Sequence, residues 1–126
     1  MIQDKSATLR LIKQLNQALE KLLLGSPDKD LMSLGLDLDS LMNDIFGVHF
    51  EQLSQMPNTA IIAMVEAKEA QHQPSYYELL GNLFFAKYQL APEKELGEKT
   101  KEIYQKYLEV SRVFSLPILK RIGEIS

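Results

Sequence analysis

The sharpest short motif in the chain is Asp39-Ser40-Leu41, set behind Leu36-Asp37-Leu38. A serine hydroxyl at the start of a helix has two uses. It can carry a covalently attached group, or it can accept a hydrogen bond from an orphan backbone N–H of the first turn, a task that Asp and Ser perform by residue type alone. The other candidate ligands and nucleophiles are scattered. His49 and His72 are 23 residues apart with no partner at helical spacing, whereas metal sites gather His and carboxylates at short, regular intervals. Asp37, Asp39 and Asp44 lie close together but lack the glycine and distal glutamate of a calcium loop. There is no cysteine, which removes disulfides, thiolate nucleophiles and cysteine-bound zinc together. No phosphate-cradling glycine loop or Walker lysine is present either. The residues thus point to no catalytic group, no metal and no cofactor, with Ser40 as the alternative attachment site.

On those residues the chain resembles acyl carrier proteins, in which a serine at a helix start takes a phosphopantetheine arm. The resemblance covers about residues 5–70 and implies a prosthetic group on Ser40. The placement agrees: one long helix, a loop, then the serine in a small acidic chain. The segment after Ser40 departs from that family's acidic docking face, with Asp44 as its one acid and an early Gly47.

The elements that must position these residues are helices. Leu9, Ile12, Leu15, Leu19, Leu22 and Leu23 recur at spacings of three and four, with Arg10, Lys13, Gln14, Gln17 and Lys21 mainly on the other side. This predicts a long helix over residues 4–24, capped by Ser6 and stopped by Gly25. Ser26-Pro27-Asp28 is a second start signal, since proline suits the first helical position and acids oppose the helix dipole there. Residues 26–57 therefore read as two or three short helices around Gly35 and Gly47. A densely apolar helix follows, capped by Asn58 or Thr59 and expected to be largely buried. The polar stretch 71–75 is the clearest break, after which Ser75 caps a helix over 75–90 that the connection around Leu90-Ala91-Pro92 ends. The next spans 93–114 with Ile103, Tyr107, Val110 and Phe114 on one face, and a last segment covers 117–125. Glu95–Lys99 and Glu102–Lys106 are expected i,i+4 pairs. No run alternates as a strand. The predicted fold is all-α: one domain over 1–126, a helical bundle with N-terminal helices in 1–70 and a C-terminal helical hairpin and tail in 75–126.

Tyr77-x-x-Leu80-Gly81-x-x-Phe84 resembles the first helix of a tetratricopeptide repeat. The resemblance implies an antiparallel helix pair over 75–114 in which Gly81 lets the second helix approach closely. There is no second copy of the pattern. Taken whole, the leucine pattern (Leu15, Leu22-Leu23-Leu24-Gly25, Leu34-Gly35-Leu36, Leu80-Gly81) resembles a family of small uncharacterised helical proteins from Gram-positive bacteria, which implies a fold and a lineage but no activity.

Hydrophobic residues make up 45% and charged residues 25% of the 126, ordinary proportions for a globular chain. The net charge of −3 has its signs mixed along the sequence. That makes a poor binder of nucleic acid, whose affinity rests on phosphate neutralisation by Lys and Arg. No basic-then-apolar leader opens the chain, and no apolar run approaches the roughly 20 residues needed to cross a bilayer. The expected setting is cytoplasmic, without membrane or nucleic-acid partners. The expected role is a non-enzymatic interaction or assembly module that binds a protein partner or another copy of itself. Eight of the ten aromatics fall within residues 76–114, so the expected partner surface is Tyr76, Tyr77, Phe85, Tyr88 and Tyr104.

Overall fold

The computed structural model describes residues 5–25 and 38–125. Among them are seven α-helices and no strand: α1 (Lys5–Gly25), α2 (Leu38–Phe46), α3 (Phe50–Gln55), α4 (Asn58–Glu66), α5 (Gln73–Leu90), α6 (Lys94–Ser111) and α7 (Leu116–Glu124). The chain is an all-α bundle. The start signal at Ser26 and the Gly35 corner lie outside the described residues.

The bundle is organised by α5. A helix that is apolar on every side must be covered on every side. Every residue from 79 to 86 is buried, with α1, α4 and α6 packed around them. The α1 face contributes Ile12, Leu15 and Leu19, and Leu80, Leu83, Phe84 and Ile103 complete the main core. Fully burying each such side chain stabilises the fold by roughly 1.5–3 kcal/mol before the entropy of ordering it is counted. The rings interlock as well: Phe46 meets Tyr76 edge-on at 5.7 Å, and Phe50 stacks on Phe84 at 6.1 Å. A second cluster of Phe85, Tyr104, Ile118 and Ile125 lies under α7.

Several boundaries differ from the sequence expectation, each for a local reason. Gly47 ends α2 as expected, at φ +79°, and its N–H bonds the Asn43 carbonyl at 2.9 Å. This left-handed position is one that glycine occupies without a Cβ penalty. Pro57 rather than Asn58 precedes α4, and the Asn58 side chain reaches across to Lys99 and Glu102. Of α4 only Ile61 and Val65 are buried, because just one of its faces meets α5 and α6. The predicted break at 71–75 is a 3-10 turn, Ala70–His72, that runs straight into α5. Gln73 starts that helix ahead of Ser75 and ties back to the carbonyls of Glu66 and Lys68. Helix α6 stops at Ser111, since Arg112 turns left-handed at φ 56° with its N–H on the Leu108 carbonyl. Phe114 is thereby removed from the helix face where its spacing had put it. Ser115 caps α7, its hydroxyl accepting from the Ile118 N–H.

Gly81 lies where α5 meets α6. A Cβ there would come within 2.5–2.6 Å of two Tyr104 ring atoms, so the absence of a side chain permits the close approach.

Candidate functional site

The most concentrated polar chemistry lies inside the bundle. Asn82 on α5, Tyr104 on α6 and Arg121 on α7 are all buried. Their helices converge because Gly81 brings α6 against α5, and because Ile118, Ile122 and Ile125 press α7 over the second core. Arg121 lies between those isoleucines in the sequence and so enters the protein with them. Its guanidinium makes a two-pronged ion pair with Glu20 of α1, Nη1–Oε1 2.8 Å and Nη2–Oε2 2.9 Å. Nη1 also donates to Asn82 Oδ1 at 3.1 Å and to the Tyr104 hydroxyl at 3.3 Å.

The rest of the knot closes on itself. Tyr104 donates to Asn82 Oδ1 at 2.7 Å. Asn82 Nδ2 donates to Asn16 Oδ1, and Asn16 Nδ2 to the Ser75 carbonyl, each at 3.3 Å. Four helices are thus joined through one buried cation. Burial works against the Arg121 charge, but the hydrogen bonds and charge of Glu20 outweigh it and leave the group more basic than usual. Burial also drives the Tyr104 phenol well above its ordinary range, and the neighbouring Arg121 only partly offsets this. A phenol so held keeps its proton. The arrangement fastens four helices to one another.

Glu78, one turn before Asn82, lies beside the knot in an open groove of about 890 Å³ between α1 and α5. Its carboxyl is raised above the usual value by burial first and by Glu20 second, against the pull of Arg121. A second open cleft, about 680 Å³, runs between the α3–α4 corner and α6. There Lys99 donates to the Met56 carbonyl and to Asn58 Oδ1, in place of the expected pairing with Glu95. Burial lowers its basicity, with Glu102 opposing. Lys106 pairs with Glu109 at 3.8 Å rather than with Glu102.

The residues singled out from sequence are placed as follows. Ser40 is exposed in the first turn of α2. Tyr76, Tyr77, Phe85 and Tyr104 are buried, and Tyr88 is half-buried. In this structure they are core residues rather than a free surface, because Phe46 of α2 covers Tyr76 and the helices α1, α4, α6 and α7 pack around the rest of α5. Among the described residues the Tyr77 hydroxyl has no hydrogen-bond partner in spite of its burial. Desolvation, with Glu66 and Glu109 adding to it, pushes that phenol up to about 12. His72 is 3.5 Å from Glu69, and exposed His49 precedes α3 without a side-chain cap. Among the described residues no three His, Asp or Glu gather as a metal site, and no helix is long and apolar enough to cross a membrane.

Sequence reasoning missed both the knot and the apolar surface that the structure does expose. Val113, Phe114, Leu116 and Leu119 stand out at the corner between α6 and α7, with Phe114 76% and Leu116 67% exposed. A signal for the corner was present in the apolar residues that crowd residues 113–125: Val113, Phe114, Leu116, Ile118, Leu119, Ile122 and Ile125. No family model, curated protein or solved structure matches this chain.

Proposed function

We propose that this protein is a non-enzymatic helical interaction module whose partner surface is the α6–α7 corner. The observation that carries this reading is the run Val113, Phe114, Leu116 and Leu119, four large apolar side chains exposed within seven residues. Contiguous apolar area of this kind is what partner surfaces present. Beneath it, the polar groups of α5, α6 and α7 are taken up in holding the helices to one another. The corner therefore stands on helices tied to one another, with Gly81 at the close contact of α5 and α6.

A photo-crosslinking amino acid in place of Val113, expressed in the cells the protein comes from, tests the reading. A discrete adduct at 113, absent when the same group replaces the exposed Lys94, is expected. Equal labelling at both positions would sink it. The exposure of Ser40 in the first turn of α2 favours a second reading, an acyl-carrier role. Intact mass of the protein from its own cells decides that one, since a phosphopantetheine arm adds a fixed mass.

A further inference from the structure

Helix α7 is held by the bundle much as a separate helix would be held in a groove. Its anchors Ile118, Arg121, Ile122 and Ile125 follow at i, i+3, i+4 and i+7, the spacing of that binding mode. Ile125 sits against Gly97, where a Cβ would come within 2.8 Å of its Cγ2. Helix α7 therefore runs back along α6, and the chain must reverse within residues 112–115. That connection works against its own sequence in three ways. Arg112, at φ 56°, is the one non-glycine residue with positive φ among the described residues. This conformation is unfavourable for an L residue and is one that glycine usually supplies at a helix end. Phe114 continues the helical spacing of Tyr107 and Val110, yet it is 76% exposed. The Val113 N–H turns to the Ser111 hydroxyl at 3.2 Å, in place of the Glu109 carbonyl that a continuing helix would offer. All three are relieved if α6 runs one turn further, up to the break that Pro117 imposes. A helical 112–115 leaves no residues for the reversal, so α7 could not then reach its own bundle.

We infer that two copies of this chain exchange α7: in each, α6 extends through the connection, and α7 seats in the groove of the other copy. This rests on the proposed partner surface at the α6–α7 corner and names the partner. The occupant is fixed by identity, since the groove that Ile118, Ile122 and Ile125 fill in one chain is present unchanged in the next. The buried pair supplies the address. Arg121 finds Glu20, Asn82 and Tyr104 together at one place in the bundle, and fixing register is the best-attested use of a buried polar pair. Every contact that α7 makes with α1, α5 and α6 in the closed chain is made again between the copies. The balance between closed monomer and exchanged dimer is thereby left to the connection. It passes from an unfavourable turn to a helix twice per dimer, against the entropy of bringing two chains together. Exchange of an identical element is an accessible route to a dimer for this reason.

Sedimentation velocity on the purified full chain tests the exchange, after incubation at high concentration in mild urea so that α7 can leave its seat. The wild type is expected to give a mixture of monomer and dimer. Arg112→Gly should weaken the dimer about 25-fold, from roughly fivefold at each of the two connections, since glycine takes the left-handed turn freely and is a poor helix former. Glu20→Arg and Arg121→Glu, each alone, set like charges at the seat of α7 and should not dimerise. Mixed in equal amounts they should, because only exchange brings opposite charges together at both seats. A wild type that stays monomeric, or a dimer indifferent to Arg112→Gly, overturns the inference. So does a mixture that stays monomeric while both charge variants are folded by circular dichroism; where they are unfolded, the Arg112→Gly comparison decides alone. A monomeric wild type that still gives a photo-adduct at residue 113 with a different protein removes the exchange and leaves the interaction module standing. An absent adduct together with an absent dimer removes both.

Discussion

Arg121 and Glu20 are 101 residues apart in the chain and meet in a two-pronged ion pair of 2.8 and 2.9 Å. The two side chains are not equally enclosed: that of Arg121 is 5% exposed and that of Glu20 27%. Removing either partner leaves the other's charge behind, and the cost follows how dry that charge is.

Glu20→Ala, which strands a buried guanidinium, should therefore cost more than Arg121→Met, which strands a carboxylate that water reaches. We expect a loss of roughly 3 kcal/mol for the first and about 1–2 kcal/mol for the second. Urea unfolding of both variants checks the order. The reverse order would mean that packing of the arginine stem, rather than its charge, holds α7 in place.

Gly81→Ala sets two effects of opposite sign against each other. Alanine favours an exposed helix over glycine by about 1 kcal/mol, whereas a Cβ at this site runs into the Tyr104 ring. That ring is fully buried and its hydroxyl is held by Asn82 and Arg121, so it has nowhere to move. The clash should win, with a net loss of about 1–3 kcal/mol. Gly123→Ala, where the new atom meets open space, should be neutral or stabilising by up to about 1 kcal/mol. Chemical denaturation of the pair decides whether the close approach of α5 and α6 is real.

Tyr77→Phe and Tyr104→Phe remove the same atom from two fully buried rings, with different outcomes expected. The Tyr77 hydroxyl has no partner among the described residues, so its loss should leave stability unchanged or raise it by up to about 1 kcal/mol. The Tyr104 hydroxyl donates to Asn82 and accepts from Arg121. Its loss should cost about 1–2 kcal/mol. Thermal melts of the two variants side by side are sufficient.

Glu78 should make the protein less stable as pH rises. Its carboxyl is raised above the ordinary 4.5 by burial and by Glu20, so the folded state holds this proton more tightly than the unfolded chain. Its contribution is fully present below the unfolded value and is lost as pH climbs through the folded one. Glu78→Gln, permanently neutral, should be more stable than wild type at pH 7, and the difference should fade on acidification below 4.5. A gap that widens in acid would show the sign to be wrong.

The sequence alone determined what depends on neighbours along the chain. Ile12, Leu15 and Leu19 share a face in any helix, so the buried side of α1 was legible from spacing, as was the stop at Gly47. The density of apolar residues in 76–88 already required burial on every side. Which helices would provide it was a matter of tertiary packing, and so the expected aromatic surface became core. Asn82, Glu20 and Arg121 each read as an ordinary surface residue and Tyr104 as part of a partner surface, because polar groups are buried only when partners from distant segments arrive together. Phe114 kept helical spacing with Val110, but the left-handed turn at Arg112 ended α6 first and left that ring in solvent. Local periodicity specifies the elements and their apolar faces. Only the docking of α7 across α1, α5 and α6 decided which polar groups were enclosed and which apolar ones were left outside.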